Sequence, residues 1–174
     1  ATGNVTYQDV LANSSSRGPA HDGRIKPDIC AVGTNVLSTI DPHNYANFTG
    51  TSMACPGIAG TLGQLYQAYK ELNNGNNPSS ALIKACVLNT GDDLGNPGPD
   101  YKHGWGRINA RRAYSIIKNN QYLSDMISQG GNKTHVITVP NGVSELRVMV
   151  YWHDFKATVG VSKTLVNNLD FTLT

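Results

Sequence analysis

The chain has 174 residues, 39% of them hydrophobic and 15% charged, and a formal net charge of +2. This composition predicts a folded globular chain with room for one domain and part of a second, and excludes a disordered polypeptide. It also predicts no nucleic-acid partner and no membrane partner, because the sequence has no large basic cluster and no apolar run of spanning length.

The first predicted elements lead toward a helix. Residues 28–40 predict a short buried strand, a turn at Gly33 and a second extended piece. Residues 45–51 are expected to form the loop or strand that delivers Ser52. From Ser52 to about Glu71 apolar residues recur at helical spacing. They are Ile58, Leu62, Leu65, Tyr66 and Tyr69.

The other side of this helix is made of small residues, namely Ala54, Gly57, Ala59, Gly60 and Gly63. Glycine weakens an isolated helix by about 1 kcal/mol relative to alanine. Such a sequence is therefore expected where a helix packs closely against other backbone. The pattern predicts a central, buried helix.

Two shorter helices are predicted downstream. The polar segment 73–78 breaks the chain, and Ser79 or Ser80 can cap a helix over roughly 79–89. Residues 91–104, rich in glycine and proline, predict an irregular surface loop. Asn109 is placed to cap a helix over 110–118.

The character of the sequence changes after Tyr122. Residues 134–139 and 145–152 alternate with period two and flank the turn signal Asn141-Gly142. Residues 169–174 begin a third strand. Residues 123–174 are therefore predicted to form the beginning of an antiparallel β-sandwich, of which the remaining strands are missing.

The heptapeptide Gly50-Thr51-Ser52-Met53-Ala54-Cys55-Pro56 carries the most chemical information. It places Ser52 at the first turn of a helix, where free backbone N–H groups and the helix dipole can stabilise an oxyanion. Pro56 is expected to be harmless there, because first-turn nitrogens have no partner within the helix. Ser52 is accordingly a candidate nucleophile, and the alternative is an ordinary helix cap.

Three further segments accompany this motif in a characteristic order. They are Ser14-Ser15-Ser16-Arg17-Gly18-Pro19, Lys26-Pro27-Asp28, and Gly104-Trp105-Gly106-Arg107-Ile108-Asn109. Together the four segments resemble the C-terminal half of a subtilisin-like serine protease catalytic domain (subtilase, peptidase S8 family). The resemblance implies an α/β fold for residues 1–122, the later part of a parallel-sheet domain around a central buried helix. Residues 123–174 resemble the start of the jelly-roll domain of bacterial alkaline subtilases.

The resemblance implies a secreted serine endopeptidase that acts on proteins or peptides. Ser52 would be its nucleophile and its backbone N–H an oxyanion donor, with Gly50, Thr51, Met53, Ala54 and Pro56 forming the supporting turn and helix start. In this family the catalytic Asp and His precede the Ser, and neither His21 nor His43 stands in the family's motif. Asp28 is interpreted as structural, and Asn4 is a candidate for the oxyanion-hole amide.

The catalytic Asp and His are therefore expected in an N-terminal part of the same domain that lies outside this chain. That part is the expected partner, and the fragment alone is expected to be inactive.

Other interpretations remain open from the sequence. An α/β-hydrolase-type esterase would use Gly50-x-Ser52 as its elbow and take its base from His103, His135 or His153. A non-catalytic, protease-like binding protein is the third possibility. No cofactor is required. Asp154, Asn168 and Asp170 are interpreted as solvated polar residues of the predicted strands, and the alternative is that they supply oxygen ligands to a structural Ca²⁺. Cys30, Cys55 and Cys86 lack the spacing of a zinc site and are predicted to be buried free thiols.

Overall fold

The computed structural model describes residues 10–174 and contains two strands and three helices. In chain order these are β1 (Val36–Ile40), β2 (Asn44–Phe48), α1 (Thr51–Leu72), α2 (Ser80–Asn89) and α3 (Ala110–Lys118). The chain thus has the mixed α/β character that the sequence predicts. None of these helices in the described part of the chain is long and apolar enough to cross a membrane.

The core lies between the three helices, where α3 packs against both α1 and α2. Its buried members are apolar side chains and one thiol, namely Leu65, Ile83, Cys86, Val87, Ala113 and Ile117. Burying one large aliphatic side chain stabilises a fold by about 1.5–3 kcal/mol, so this cluster holds the helices together.

The three cysteines are free, as predicted, but Cys55 is exposed rather than buried. Burial raises the pKa of Cys86 to about 11, which leaves that thiol protonated and unreactive.

Both short helices begin where the sequence predicts. The Ser79 Oγ accepts a hydrogen bond of 3.1 Å from the Leu82 N–H at the start of α2. The Asn109 Oδ1 accepts one of 3.0 Å from the Arg112 N–H at the start of α3. Each cap satisfies a backbone donor that has no partner within its helix, and this fixes where the helix begins.

The long helix is also confirmed, but Pro56 lies deeper in it than expected. α1 begins at Thr51, so Pro56 is its sixth residue and stands inside the helix. The nitrogen of residue 56 would normally donate to the carbonyl of Ser52, and proline has no hydrogen to give. The expectation that Pro56 sits in the first turn was therefore wrong. Its effect is to leave the Ser52 carbonyl without its usual helical donor.

The predicted burial of α1 is not found within residues 10–174. Leu65 is its one buried residue in this part of the chain. A Cβ added at Gly57, Gly60 or Gly63 would meet no atom of another segment within 4 Å. These three glycines leave room for close packing, but within residues 10–174 no other segment packs on them.

The segments before α1 are partly as predicted. β1 and β2 form an antiparallel hairpin in which Val36 pairs with Phe48 and Ile40 with Asn44. The buried strand predicted over 28–32 is reduced in the described chain to one parallel bridge between Cys30 and Arg107. There, the Cys30 N–H donates to the Gly106 carbonyl at 2.8 Å. A parallel sheet needs several adjacent strands, and residues 10–174 supply only this contact.

The strands predicted after Tyr122 are not formed in this structure. Residues 119–174 contain turns but no helix or strand, although the turn at Asn141-Gly142 is present. An isolated strand pair is marginally stable in water, because its edges and faces lack neighbours. The segment instead contacts the helical part through Arg147. Its Nη1 donates to the Gly91 carbonyl at 3.1 Å, and its own carbonyl accepts from the Asn89 Nδ2 at 3.3 Å.

Two glycines before α3 allow backbone segments to approach each other. Gly104 has φ 61° and Gly106 has φ 99°, values that favour glycine. A Cβ on Gly104 would lie 2.6 Å from the carbonyl oxygen of Asp28 and would also clash with that of Pro27. Between these glycines, the Trp105 N–H donates to the Asp28 carbonyl at 3.0 Å. The Lys-Pro-Asp segment thus lies directly on the segment that leads into α3.

We expect Gly104→Ala to destabilise the fold by at least about 3 kcal/mol, since strain in the left-handed region adds to a backbone clash. Gly98→Ala is the matched control, because Gly98 has φ 85° but a Cβ there would meet nothing within 4 Å. It should cost only about 1–2 kcal/mol. Denaturant unfolding of both variants measures the difference, and equal losses would refute the proposed clash.

Asp28 joins this segment to α2, because its Oδ2 lies 2.7 Å from the Lys26 Nζ and 3.2 Å from the Lys84 Nζ. Partial burial works against ionisation, yet the two ammonium groups hold the pKa of Asp28 below its ordinary 3.8. A carboxylate with a depressed pKa stabilises the fold at pH values above 3.8. That contribution is lost as the pH falls through the lowered pKa.

Lys84→Met should therefore destabilise the protein near neutral pH by less than about 1 kcal/mol, since the pair is partly exposed and screened. The deficit should shrink as the pH falls below 3.8. Urea unfolding across this range, with exposed Lys102→Met as the control, measures it. A deficit that persists unchanged in acid would show that Lys84 stabilises α2 by packing rather than by charge.

Candidate active site

The turn that leads into α1 is held by the loop at Gly33. The Gly50 N–H donates to the Gly33 carbonyl at 2.7 Å. A Cβ on Gly33 would lie 2.6 Å from the Gly50 carbonyl oxygen and 3.2 Å from the Cβ of Ala54. A second bond of 3.0 Å runs from the Asn35 N–H to the Thr49 Oγ1. Close backbone contact therefore fixes the position of the residues on either side of Ser52.

Ser52 is the second residue of α1 and is exposed. The helix begins at Gly50 without a side-chain cap, and the Met53 N–H turns back to the Gly50 carbonyl at 3.0 Å. Within residues 10–174 no acceptor engages the Ser52 N–H. A free N–H at a helix N-terminus, with the positive end of the dipole behind it, favours negative charge on an adjacent atom. The site can therefore stabilise an oxyanion beside Ser52.

Of the residues predicted to support Ser52, Thr51 is the first residue of the helix and is exposed, whereas Met53 and Ala54 are half-buried. Ala54 lies against the Gly33 loop. The role of Gly33 itself was missed. The signal was available, because a glycine between two extended pieces is typical of a close backbone approach.

No general base stands beside Ser52 in the described chain. Its hydroxyl forms no hydrogen bond with residues 10–174. His21 and His43 lie in exposed turns, as predicted. The candidate oxyanion residue Asn4 lies outside the described residues. A serine hydroxyl is a weak nucleophile without a base, so these residues alone cannot activate it.

The downstream histidines considered for an esterase have other partners. His103 Nδ1 lies 3.4 Å from Asp100 Oδ2, His135 Nε2 lies 3.7 Å from Asp125 Oδ2, and His153 Nε2 lies 3.0 Å from Ser80 Oγ. None of these contacts involves Ser52. The Gly50-x-Ser52 elbow therefore has no base among them.

A carboxylate that the sequence did not reveal anchors the start of α3. Asp92 Oδ1 accepts from the Asn109 Nδ2 and lies near the Arg112 Nη1, both at 3.1 Å, while its Oδ2 lies 3.4 Å from the Arg107 Nη2. Its backbone also exchanges two bonds of 2.8 Å with Arg107. Local sequence patterns could not predict these contacts, since Asp92 lies in an irregular loop and its partners follow much later in the sequence.

The predicted calcium ligands have protein partners. Asp154 accepts from the Val166 N–H at 2.6 Å and from the Asn167 Nδ2 at 2.7 Å. Desolvation raises the pKa of Asp154, but the hydrogen bonds from these amide donors outweigh it, so the pKa is lowered. The Asn168 Nδ2 donates to the Asp170 Oδ2 at 3.2 Å. Residues 10–174 hold no cluster of three or more His, Cys, Asp or Glu side chains suited to a metal. The calcium site stays a prediction.

Comparison with known proteins identifies relatives over most of the chain. The subtilase family profile matches residues 1–106. The minor extracellular protease Vpr of Bacillus subtilis is 33% identical over 91% of this chain, which spans 22% of that relative. The C5a peptidase of Streptococcus pyogenes is 30% identical over 88% of the chain, which spans 14% of that protein. The chain thus corresponds to less than a quarter of either relative.

A solved structure has a similar fold. The Clostridium perfringens CspB protease superposes with a TM-score of 0.51 and 28% identity. The superposition covers 56% of this chain and 21% of the other.

Gly33→Ala should shift the turn that carries Ser52, because the new methyl group would meet the Gly50 carbonyl oxygen at 2.6 Å. Displacing a reacting group by about 1 Å costs on the order of a hundredfold in rate. In the complete protein we expect this loss in the rate at which a fluorophosphonate labels Ser52. Gly98→Ala, in the 91–104 loop, should leave that rate unchanged. Unaltered labelling in Gly33→Ala would show that the turn tolerates the methyl group.

Proposed function

Because this chain belongs to the subtilase family, we propose that it is the C-terminal portion of the catalytic domain of a serine endopeptidase. The observation that carries the proposal is the position of Ser52. It is exposed at the uncapped N-terminus of α1, and the Gly33 loop holds the preceding turn in place. The arrangement places the Ser52 hydroxyl, on a fixed backbone turn, beside an unpaired backbone donor, as acyl transfer requires.

In this proposal the Ser52 Oγ attacks the carbonyl carbon of a peptide bond while a histidine base removes the hydroxyl proton. The Ser52 N–H donates to the oxyanion that develops on the carbonyl oxygen. Collapse of this intermediate expels the amine, which takes the proton from the histidine, and leaves an acyl group on Ser52. Water then releases the acid by the reverse sequence of proton transfers.

The histidine and its orienting aspartate would come from an upstream part of the same domain. Two observations support this completion. The Ser52 hydroxyl has no base among residues 10–174, and the open glycines Gly57, Gly60 and Gly63 leave room for other backbone to pack on α1. The upstream part would also supply strands next to the Cys30–Arg107 bridge and extend it into a parallel sheet.

Three finer points belong to the same proposal. Secretion is supported by the extracellular protease among the relatives. A domain boundary near residue 122 is supported by the end of α3 at Lys118 and by the alternating sequence that follows. In the complete protein, residues 123–174 would pair with later strands in a β-sandwich, where Asp154, Asn168 and Asp170 could contribute to a Ca²⁺ site.

Ser52→Ala should abolish peptidase activity and fluorophosphonate labelling of the complete enzyme, because both need the activated hydroxyl. The loss expected in kcat is on the order of a millionfold, a value measured for removal of the serine in subtilisin itself. Labelling followed by peptide mapping would identify Ser52 directly. Ser80→Ala is the control, since Ser80 also lies in the first turn of a helix and contacts a histidine.

Three results would contradict the proposal. Labelling at another serine would show that Ser52 is not the nucleophile. No labelling in a folded complete protein would favour a protease-like binding protein. Peptidase activity of the isolated 174 residues that disappears in Ser52→Ala would show that a base lies within this chain. The isolated chain is expected to be inactive.

A further inference from the structure

The chain contains two Asn-Gly dipeptides, Asn74-Gly75 and Asn141-Gly142. In such a pair the glycine nitrogen can attack the Cγ of the asparagine side chain, because glycine has no Cβ to hinder the approach. The new N–Cγ bond closes a succinimide ring as the bond from Cγ to the side-chain nitrogen breaks and ammonia leaves. Water then opens the ring to aspartate or isoaspartate, with no oxidation or reduction.

The first pair is held by the end of α1. Asn74 has φ 54° and Gly75 has φ 82°, which reverses the chain directly after the helix. The Gly75 N–H donates to the Lys70 carbonyl at 2.8 Å and closes the last turn. For its nitrogen to attack Asn74, this bond must break and the helix end must open. Such local opening lowers the reactive population.

The second pair, Asn141-Gly142, has no comparable backbone hydrogen bond within residues 10–174. Asn141 and Gly142 form an exposed turn, and a Cβ on Gly142 would meet nothing within 4 Å. Within residues 10–174 no acceptor engages the Gly142 N–H. The flanking Val139 and Val143 are 45% and 47% exposed, so packing does not restrain the turn either. The glycine nitrogen is free to rotate toward the asparagine side chain.

We propose that Asn141 is a site of spontaneous deamidation in the folded protein and that Asn74 is protected from the same reaction. The product carries a carboxylate in place of a neutral amide, which lowers the formal net charge of +2 by one. The isoaspartate form also adds one carbon to the main chain within the turn. The modification would therefore change both charge and backbone geometry between the segments 134–139 and 145–152.

The test uses the 174-residue chain, in which the turn is open as described, incubated folded and in denaturant. Peptide mapping by mass spectrometry measures conversion at each asparagine. In the folded protein Asn141 should convert at least about tenfold faster than Asn74, and in denaturant the two rates should become similar, because local structure no longer differs. Both rates should increase with pH, since the deprotonated glycine nitrogen is the attacking species.

Gly142→Ala is the matched variant, because a methyl group hinders the attack and the space around it is open. It should slow conversion at Asn141 and leave Asn74 unchanged. Equal rates at the two sites in the folded protein would refute the proposal. So would faster conversion at Asn74, or an Asn141 that converts in denaturant but not in the folded protein.

Discussion

The close approach of Gly33 to the Gly50 turn is the contact on which the functional part of this structure depends. A backbone hydrogen bond of 2.7 Å ties the two segments, and a side chain on Gly33 would separate them. Since α1 begins at the next residue, this contact sets where the helix starts and where Ser52 projects. The same helix reaches the core through Leu65, so the site and the helical core share one rigid element.

Glycine has the same role at the other end of the core. Gly104 and Gly106 let the segment before α3 lie against the Lys-Pro-Asp segment, and Asp92 then anchors α3 by its side chain and its backbone. Backbone-to-backbone packing of this kind excludes side chains and leaves little freedom for adjustment. It explains how a loop-rich chain can still hold Ser52 in a defined position.

The two parts of the chain differ in how much secondary structure and packing they contain. Residues 10–118 form a helical core in which α2 and α3 begin with side-chain caps, whereas the later residues contact it through a few polar bonds, such as those of Arg147. Many large apolar side chains in the later part are exposed, Val159 and Val136 almost fully. Exposed apolar surface on this scale is typical of surfaces that other protein segments cover. The open Asn141-Gly142 turn is one consequence of this loose structure.

The sequence alone predicts the three helices, their caps at Ser79 and Asn109, and the extended pieces before Ser52. These features follow from signals within a few residues of one another, because helix caps, turns and helical spacing are local. The family follows from the order of four short motifs along the chain, whereas the pairing of β1 with β2 was not predicted. Tertiary structure decided the rest. The roles of Gly33 and Asp92 depend on contacts between distant segments. The point at which α1 begins places Pro56 inside the helix. The exposure of α1 reflects the absence of a segment packed on its glycines within residues 10–174. The strands predicted after Tyr122 did not form, since strand pairing needs partners that local sequence cannot supply.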